Sequence, residues 1–347
     1  MKKFLLNTSL FFIPFIVIFT LNKLLHNQLE GDLVRIGYIY SNPSPKSLVN
    51  SQYKIPKQYT LLSEVDLKTK RKFDIITIGD SFSEQRNFSY YNYLAKKGVS
   101  VLHINRFQFL DENPMQTLIQ LLNSKVFDYI TADYIILQSV ERTFNERIQK
   151  IDFDRSFELD SLNNLIDNYI HKSNDYDIKF FSNATLKLPI TNIQYLFQSK
   201  PYYSKTYKYK STSNNLFTNS PNDLLFFETD IKNLYIKNDS ISTLNSIKTI
   251  EKIDTLVKQR KMKLIMLISP DKYDLYYKFI DKNSNANSPL FFKFYNQAKK
   301  EYINIDSYKI LNEKINSIKD IYFYDDSHWS PIGAQIIADE IYGIISK

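Results

Sequence analysis

Short aliphatic runs alternate with amphipathic stretches along much of this chain, and this alternation constrains its fold most strongly. The runs have the length and β-branched content of buried strands: FDIITI at 73–78, VSVLHI at 99–104, YIILQSV at 134–140 and KLIMLI at 263–268, with a possible fifth at 302–305. Helical patterns occur at 87–97, 115–122, 247–261 and 307–318, and Ser330-Pro331 opens a last helix. Strands that alternate with helices favour a mostly parallel sheet covered on both faces. The sequence therefore predicts a three-layer α/β/α domain.

The alternation is interrupted in two regions, and these predict the domain organisation. Residues 28–70 include glycines and prolines such as Gly31, Pro43 and Pro45, which is typical of a leader. Residues 143–245 are rich in Asn, Ser, Tyr and Lys with weak periodicity, which favours an insertion or cap. The α/β domain is then expected to consist of residues 71–142 and 246–347.

The first 27 residues predict a membrane anchor. Lys2 and Lys3 precede an apolar stretch over residues 4–25, which is about long enough to span a bilayer. The positive-inside rule then leaves the rest of the chain outside the cytoplasm, periplasmic or at the cell surface, on a single-pass protein. A cleaved signal peptide is the alternative, although no small-residue cleavage site follows the apolar run.

Composition excludes several classes of site and partner. The chain lacks cysteine, which excludes disulfides, thiolate metal sites and a cysteine nucleophile. Its net charge of +8 comes from scattered lysines without a nucleic-acid-binding motif, so we expect no nucleic-acid partner. No zinc spacing, phosphate loop or dinucleotide motif occurs, so neither a metal nor a cofactor is expected.

The first candidate chemical motif follows the first strong strand. Gly79-Asp80-Ser81 comes directly after FDIITI. In a parallel sheet, active groups lie beyond the carboxyl ends of strands, and a glycine allows a sharp turn there. The turn would present Ser81 as a nucleophile, with its backbone N–H available to a developing oxyanion. Gly-Asp-Ser is also an ordinary turn sequence, so the motif alone is weak.

The second motif lies near the C-terminus and supplies a base and two possible acids. The segment YDDSHWSPIGA at 324–334 places Asp325 and Asp326 just before His328. A neutral imidazole is the usual base that activates a serine hydroxyl, and a carboxylate fixes its tautomer and stabilises the imidazolium. A capped loop before a helix would explain the same residues without chemistry.

Together the two motifs resemble the SGNH (GDSL-like) hydrolase superfamily, over residues 73–142 and 246–347. The wording Asp326-Ser327-His328-Trp329 is most similar to the branch of alginate O-acetylation proteins, which carry D-x-H-W. This resemblance implies a flavodoxin-like α/β/α fold and a triad of Ser81, His328 and Asp326. The D-x-x-H spacing of the wider superfamily would instead select Asp325. In the alginate proteins D-x-H-W precedes the serine, whereas here the serine comes first.

Two further stretches resemble the same branch. Lys272, in SPDK before Tyr276, resembles its P-x-K-x-x-x-Y segment, and Glu141-Arg142 resembles its E-R ending of a strand. A surface lysine and a structural ion pair are the alternatives without chemistry.

The oxyanion hole is the part of the site that the sequence defines least. The G-x-N-D block of the superfamily, which supplies an oxyanion Asn, is not visible. Gly98 is the candidate for the block-two glycine, although a helix C-cap explains it equally well. Beyond the Ser81 N–H, we consider Gln138 and Arg142 as donors, and Lys272 as a further oxyanion or substrate group.

The resemblance implies a serine-dependent acyl-ester enzyme. We expect an O-acetyltransferase acting on a cell-surface or exported polysaccharide, with a membrane acyl-donor protein as partner. A carbohydrate acetylesterase is the alternative enzyme. A catalytically silent glycan-binding or scaffold protein is the alternative from another class.

Overall fold

The computed structural model describes residues 2–26, 31–40, 44–53, 55–67, 69–105, 113–158, 183–236 and 238–346. Its strands are β1 (Thr60–Leu61), β2 (Arg71–Ile78), β3 (Val101–Ile104), β4 (Ile130–Val140), β5 (Thr206–Lys210), β6 (Asp223–Phe227), β7 (Lys263–Ser269) and β8 (Ile303–Ile305). Its helices are α1 (Lys2–His26), α2 (Asp32–Gly37), α3 (Pro45–Ser51), α4 (Tyr90–Lys96), α5 (Pro114–Asn123), α6 (Val126–Tyr129), α7 (Glu141–Gln149), α8 (Asn183–Gln194), α9 (Glu228–Ile236), α10 (Ser240–Gln259), α11 (Lys272–Tyr276), α12 (Phe291–Gln297), α13 (Ser307–Lys314) and α14 (Pro331–Ile345).

A six-stranded sheet with the order β1-β3-β2-β4-β7-β8 forms the centre, and every pairing found in it is parallel. This confirms the predicted α/β fold with a mostly parallel sheet. The order β3-β2-β4-β7-β8 is the flavodoxin-like order, in which the direction of winding reverses between β2 and β4. Ligands of such sheets bind beyond the carboxyl ends of the strands at this reversal. Ser81, which follows β2, lies at that point.

The side chains of the central strands alternate between two cores. In β2, Ile75 joins a core with the helices α4 and α14, whereas Ile76 joins a core with α5 and α10. In β4, Ile136 and Leu137 divide in the same way. Helices therefore cover both faces of the sheet, and the buried aliphatic residues make β2 and β4 the rigid base of the candidate site.

The last helix begins as its capping residues predict. The Ser330 hydroxyl accepts a hydrogen bond from the Ile332 N–H at 3.0 Å, and Pro331 occupies the first turn. The cap satisfies one of the helix N–H groups that have no partner within the helix. It also fixes where the chain leaves the loop of residues 325–329, which contains His328.

The segments predicted as leader and insertion both carry regular structure. Residues 31–67 contain α2, α3 and β1, and β1 extends the edge of the main sheet. Within the predicted insertion, β5 and β6 pair as an antiparallel hairpin, and residues 159–182 lie outside the described part. Leu33, Val34 and Ile39 pack against Leu225 of β6. The domain boundaries themselves stay a prediction.

The apolar N-terminal stretch forms the helix α1. Among the described residues, no helix combines the length and the apolar character needed to cross a bilayer. The transmembrane assignment of residues 1–27 is therefore not supported.

Candidate active site

The turn after β2 is held by a close backbone approach and by a buried carboxylate. A Cβ on Gly79 would lie 2.1 Å from the Ser83 hydroxyl oxygen and 2.5 Å from Gln138 Oε1, so only glycine fits. The Asp80 carboxylate accepts hydrogen bonds from the N–H groups of Phe82 at 3.0 Å and Val140 at 2.6 Å. These contacts tie the turn that carries Ser81 to the end of β4.

Asp80 also forms a buried ion pair with Arg147 of α7. Burial alone would raise the pKa of Asp80, but the Arg147 guanidinium and the backbone N–H of Val140 outweigh it and lower the pKa to about 2. Asp80 is therefore ionised at neutral pH. Its hydrogen bonds and ion pair hold the turn that carries Ser81. Nothing in the sequence indicated that Arg147 would be its partner.

The structure brings Ser81, His328 and Asp326 together. The Ser81 hydroxyl oxygen lies 2.8 Å from His328 Nε2, and His328 Nδ1 lies 2.6 Å from Asp326 Oδ1. The His328 side chain is 17% exposed, whereas that of Asp326 is 2% exposed. The imidazole is thus reachable from solvent on one side and held by a buried carboxylate on the other. This geometry allows a proton to pass from the hydroxyl to the imidazole.

Aromatic packing restrains the imidazole further. The Phe82 ring lies 4.7 Å from the His328 ring and 5.0 Å from the buried Trp329 ring, between centroids. Phe82 follows Ser81 and Trp329 follows His328. The turn that carries Ser81 (the nucleophile turn) therefore packs against the loop of residues 325–329 (the base loop) through these aromatic rings. The contact fixes the two loops against each other.

Asp326, rather than Asp325, is the acid that contacts His328. Asp326 Oδ1 accepts from both the Nδ1 and the backbone N–H of His328, the latter at 3.0 Å. The Asp325 carboxylate instead accepts from the Ser44 hydroxyl, and burial raises its pKa. Burial would also raise the pKa of Asp326, but His328 and Lys46 outweigh it and hold that pKa well below its ordinary value. Asp326 stays ionised.

The loop with the acid and base is bound by α2, which the sequence predicted only as part of a leader. The Asp325 carbonyl accepts from the Leu33 N–H at 3.1 Å, and Asp32 accepts from the Ser327 N–H at 2.7 Å. A Cβ on Gly31 would lie 2.1 Å from the Asp325 carbonyl oxygen. Only a glycine permits this approach, and no local pattern in the sequence pointed to it.

Lys272 and Arg142 lie close to the site but have other partners. The Lys272 ammonium is buried and donates to the carbonyl oxygens of Tyr324 at 2.6 Å and Asp326 at 3.3 Å, and burial lowers its pKa to about 8. The Arg142 guanidinium forms ion pairs with Asp230 at 3.0 Å and Asp271 at 2.8 Å. Lys272 thus stabilises the base loop through its backbone carbonyls. Arg142 is the centre of a buried ion-pair network.

Two candidate oxyanion residues do not face the nucleophile. Gly98 has a φ of +89° at the end of α4, before β3 begins. It therefore lies at the edge of the sheet opposite Ser81, where the left-handed conformation suits a helix end. Gln138 is fully buried and accepts from the Asp80 N–H at 2.9 Å while it donates to the Ser269 hydroxyl at 2.9 Å. Gln138 therefore stabilises the turn through hydrogen bonds with Asp80 and Ser83.

The backbone of the turn offers a better oxyanion donor. The N–H groups of Asp80, Phe82 and Ser83 donate within the turn network to Gln138 Oε1, Asp80 Oδ1 and the Asp80 carbonyl. For the Ser81 N–H, no hydrogen bond is found among the described residues. This N–H group can therefore donate a hydrogen bond to a ligand that lies beside the Ser81 hydroxyl.

Two groups of side chains in the described part of the chain have oxygen or nitrogen atoms close enough to share a cation. One consists of Asp32, Asp326 and His328, in which Asp32 Oδ2 lies 3.7 Å from His328 Nδ1. The other consists of the buried carboxyl groups of Glu141, Asp271 and Asp274. Burial raises the pKa of all three, that of Asp274 to about 8. Asp271 is held by the Arg142 guanidinium at 2.8 Å, and its backbone N–H donates to Glu141 at 3.2 Å.

Residues 222–347 match the family model described as SGNH hydrolase-like domain, acetyltransferase AlgX. The match confirms the resemblance to the SGNH superfamily and to its AlgX-type branch. It includes Lys272, Asp326 and His328, whereas Ser81 lies outside the matched region. It supports an acetyltransferase-like or esterase-like activity. No curated protein and no solved structure matches the chain.

Proposed function

We propose that the protein is a serine-dependent acyl-ester enzyme in which Ser81, His328 and Asp326 form the catalytic triad. The observation that carries the proposal is the continuous contact from the Ser81 hydroxyl through the imidazole to a buried, ionised carboxylate. The three residues lie at the reversal point of a parallel sheet, where such sheets bind ligands. The AlgX-type match supports the same reaction class.

In the proposed mechanism, His328 Nε2 takes the proton of the Ser81 hydroxyl as its oxygen attacks the carbonyl carbon of an acyl ester. Asp326 stabilises the imidazolium that forms, and the Ser81 N–H donates to the oxyanion. The tetrahedral intermediate collapses, and the leaving alcohol receives the proton from His328. The acyl group remains as an ester on Ser81.

The second half of the reaction decides between transfer and hydrolysis. An acceptor hydroxyl gives its proton to His328 as its oxygen attacks the carbonyl carbon of the acyl-enzyme. The second tetrahedral intermediate then expels the Ser81 oxygen, which takes the proton back from His328. We propose an acetyl group as the acyl group, because the matched family model is described as that of an acetyltransferase. We propose a sugar hydroxyl of an exported polysaccharide as the acceptor, because the D-x-H-W motif resembles that of the alginate O-acetylation proteins. Water in place of the sugar would make the protein a carbohydrate acetylesterase.

We also propose that the reaction takes place outside the cytoplasmic membrane, with the acyl group supplied by a membrane acyl-donor protein. Lys2 and Lys3 followed by an apolar stretch support export. A fusion of the full chain to a reporter enzyme that is active only after export tests this location. An inactive fusion, beside an active fusion of the same reporter to a known export signal, would contradict this location.

The Ser81→Ala variant tests the activity, with Ser288→Ala as a matched control at an exposed serine. On a chromogenic acetyl ester, we expect Ser81→Ala to lose activity by about 10³-fold or more, because no acyl-enzyme can form. Ser288→Ala should retain wild-type rates. Equal background rates for wild type and Ser81→Ala would refute the enzyme and favour a silent glycan-binding or scaffold protein.

An acceptor oligosaccharide distinguishes transfer from hydrolysis. With the same acetyl ester as donor, we expect mass spectrometry to detect an acetylated oligosaccharide that requires Ser81. Free acetate as the sole product, with any acceptor offered, would favour the acetylesterase.

A further inference from the structure

Ser44 and Lys46, at the N-terminal end of α3, contact the two acidic residues of the base loop. The Ser44 hydroxyl, just before the helix, donates to the Asp325 carboxylate. The Lys46 ammonium lies 2.7 Å from Asp326 Oδ2, the carboxylate oxygen that faces away from His328. The backbone N–H of Asp32 donates to the same oxygen at 3.0 Å. Residues far from the loop in sequence thus hold the outer side of the proposed triad acid.

We propose that Lys46 is a positioning residue of the active site: it fixes the Asp326 carboxylate so that Oδ1 faces the His328 imidazole. The inference rests on the proposed function, because it assigns a role within the same triad. Lys46 lies outside the region that matches the AlgX-type family, and nothing in its sequence context marks it as part of a site.

The burial of this ion pair separates it from an ordinary surface salt bridge. Exposed pairs contribute little because water screens them and their side chains lose entropy. Here the Asp326 side chain is 2% exposed and the Lys46 side chain 26% exposed. Burial alone would lower the pKa of Lys46, but Asp326 outweighs it and raises that pKa. Lys46 therefore carries its charge throughout the neutral range.

The two oxygens of Asp326 have separate partners, which explains how Lys46 acts on the imidazole. Oδ1 accepts from His328, whereas Oδ2 accepts from Lys46 and the Asp32 N–H. Without the ammonium, Oδ2 keeps a single donor and the carboxylate gains rotational freedom. A triad acid that is less well oriented holds the imidazole in a productive geometry for less of the time.

Loss of the Lys46 charge also changes the proton balance of the site. The ammonium partly compensates the negative charge of Asp326, and that negative charge stabilises the imidazolium. In Lys46→Met this compensation is gone, so Asp326 and Asp32, whose Oδ2 lies 3.7 Å from His328 Nδ1, stabilise a positive charge on the imidazole more strongly. The acidic limb of the kcat/KM profile should then move to higher pH. A residue that only supports the fold would not move this limb.

The experiment compares wild type, Lys46→Met and Lys46→Arg, with Lys72→Met as a matched control. Lys72 pairs with Asp133 at 2.6 Å, but both side chains are more than half exposed. We measure kcat and KM on a chromogenic acetyl ester against pH, and the rate at which a fluorophosphonate probe labels Ser81. We expect Lys46→Met to lower kcat and the labelling rate by about 10–100-fold with a small change in KM. Lys46→Arg should restore most of the loss, and Lys72→Met should match wild type.

The outcomes separate this inference from the proposed function. A Lys46→Met profile whose acidic limb coincides with that of wild type overturns the positioning role, whatever happens to kcat. If wild type neither hydrolyses the ester nor reacts with the probe, the proposed function fails. Lys46 is then judged by NMR titration of the His328 imidazole. A titration shifted to higher pH in Lys46→Met but not in Lys72→Met supports the inference, and identical titrations overturn it.

Discussion

Replacing Asp80 by asparagine tests whether a buried ion pair holds the nucleophile turn. The carboxylate accepts from two backbone N–H groups and pairs with Arg147. Its pKa of about 2, against an ordinary value of 3.8, means that the folded state favours the ionised form. The difference corresponds to about 2–3 kcal/mol at neutral pH. Asparagine also leaves Arg147 without a counter-charge, so we expect Asp80→Asn to lose about 3–5 kcal/mol of unfolding free energy.

The pH dependence of this loss has a defined sign. The folded-state pKa of Asp80 is depressed, so its contribution is present above the unfolded value near 4 and disappears as the pH falls towards 2. Urea unfolding of wild type and Asp80→Asn at several pH values measures the difference between them. We expect the difference to be largest near neutral pH and to shrink below pH 4.

An exposed carboxylate provides the control for Asp80. Asp133→Asn breaks the exposed ion pair with Lys72 and should cost less than about 1 kcal/mol. If Asp80→Asn costs no more than Asp133→Asn, or if its cost does not depend on pH, the turn is not held by the Asp80 charge. The proposed role of Asp80 as an anchor of Ser81 would then be wrong.

Two further substitutions test the contacts that hold the base loop. Gly31→Ala should lower the free energy of unfolding, measured in urea, by about 1–3 kcal/mol because its Cβ would meet the Asp325 carbonyl. Gly343→Ala is the control and should be neutral or stabilising, because nothing lies within 4 Å of its Cβ. Equal effects of the two substitutions would contradict the close approach at Gly31. Burial lowers the pKa of Lys272 to about 8, so wild-type stability should gain about 2 kcal/mol between pH 8 and 9.5 relative to Lys272→Met. Parallel pH profiles for wild type and Lys272→Met would contradict the buried ammonium.

The sequence predicted the parts of the site that depend on local patterns. A buried aliphatic run that ends in Gly79-Asp80-Ser81 defines both the strand and the turn after it. Asp326 and His328 lie two residues apart, so their contact also forms within a short segment. The topology predicted the place of Ser81 at the carboxyl end of β2. It did not predict the place of the Asp326–His328 loop, which follows α13 rather than a strand.

The groups that sequence reasoning missed are those that reach the site through long-range packing. Gly31, Asp32 and Lys46 contact a loop nearly 300 residues later, and glycine and proline content around them indicated only a leader. The position of Gly98 follows from the direction of the strands. A glycine that precedes a parallel strand lies at the amino edge of the sheet, whereas Ser81 follows a strand and lies at the carboxyl edge.

The spacing Asp-x-His explains why Asp326 rather than Asp325 serves the imidazole. With one residue between them, the Asp326 carboxylate accepts the backbone N–H of His328 in a local turn and the ring N–H at the same oxygen. The acid and base thus contact each other within three residues, while Lys46 and the Asp32 N–H hold the second carboxylate oxygen. Such a local pair can be placed against a serine at the sheet edge. The contact between this pair and the serine therefore does not depend on the order of the two motifs along the chain.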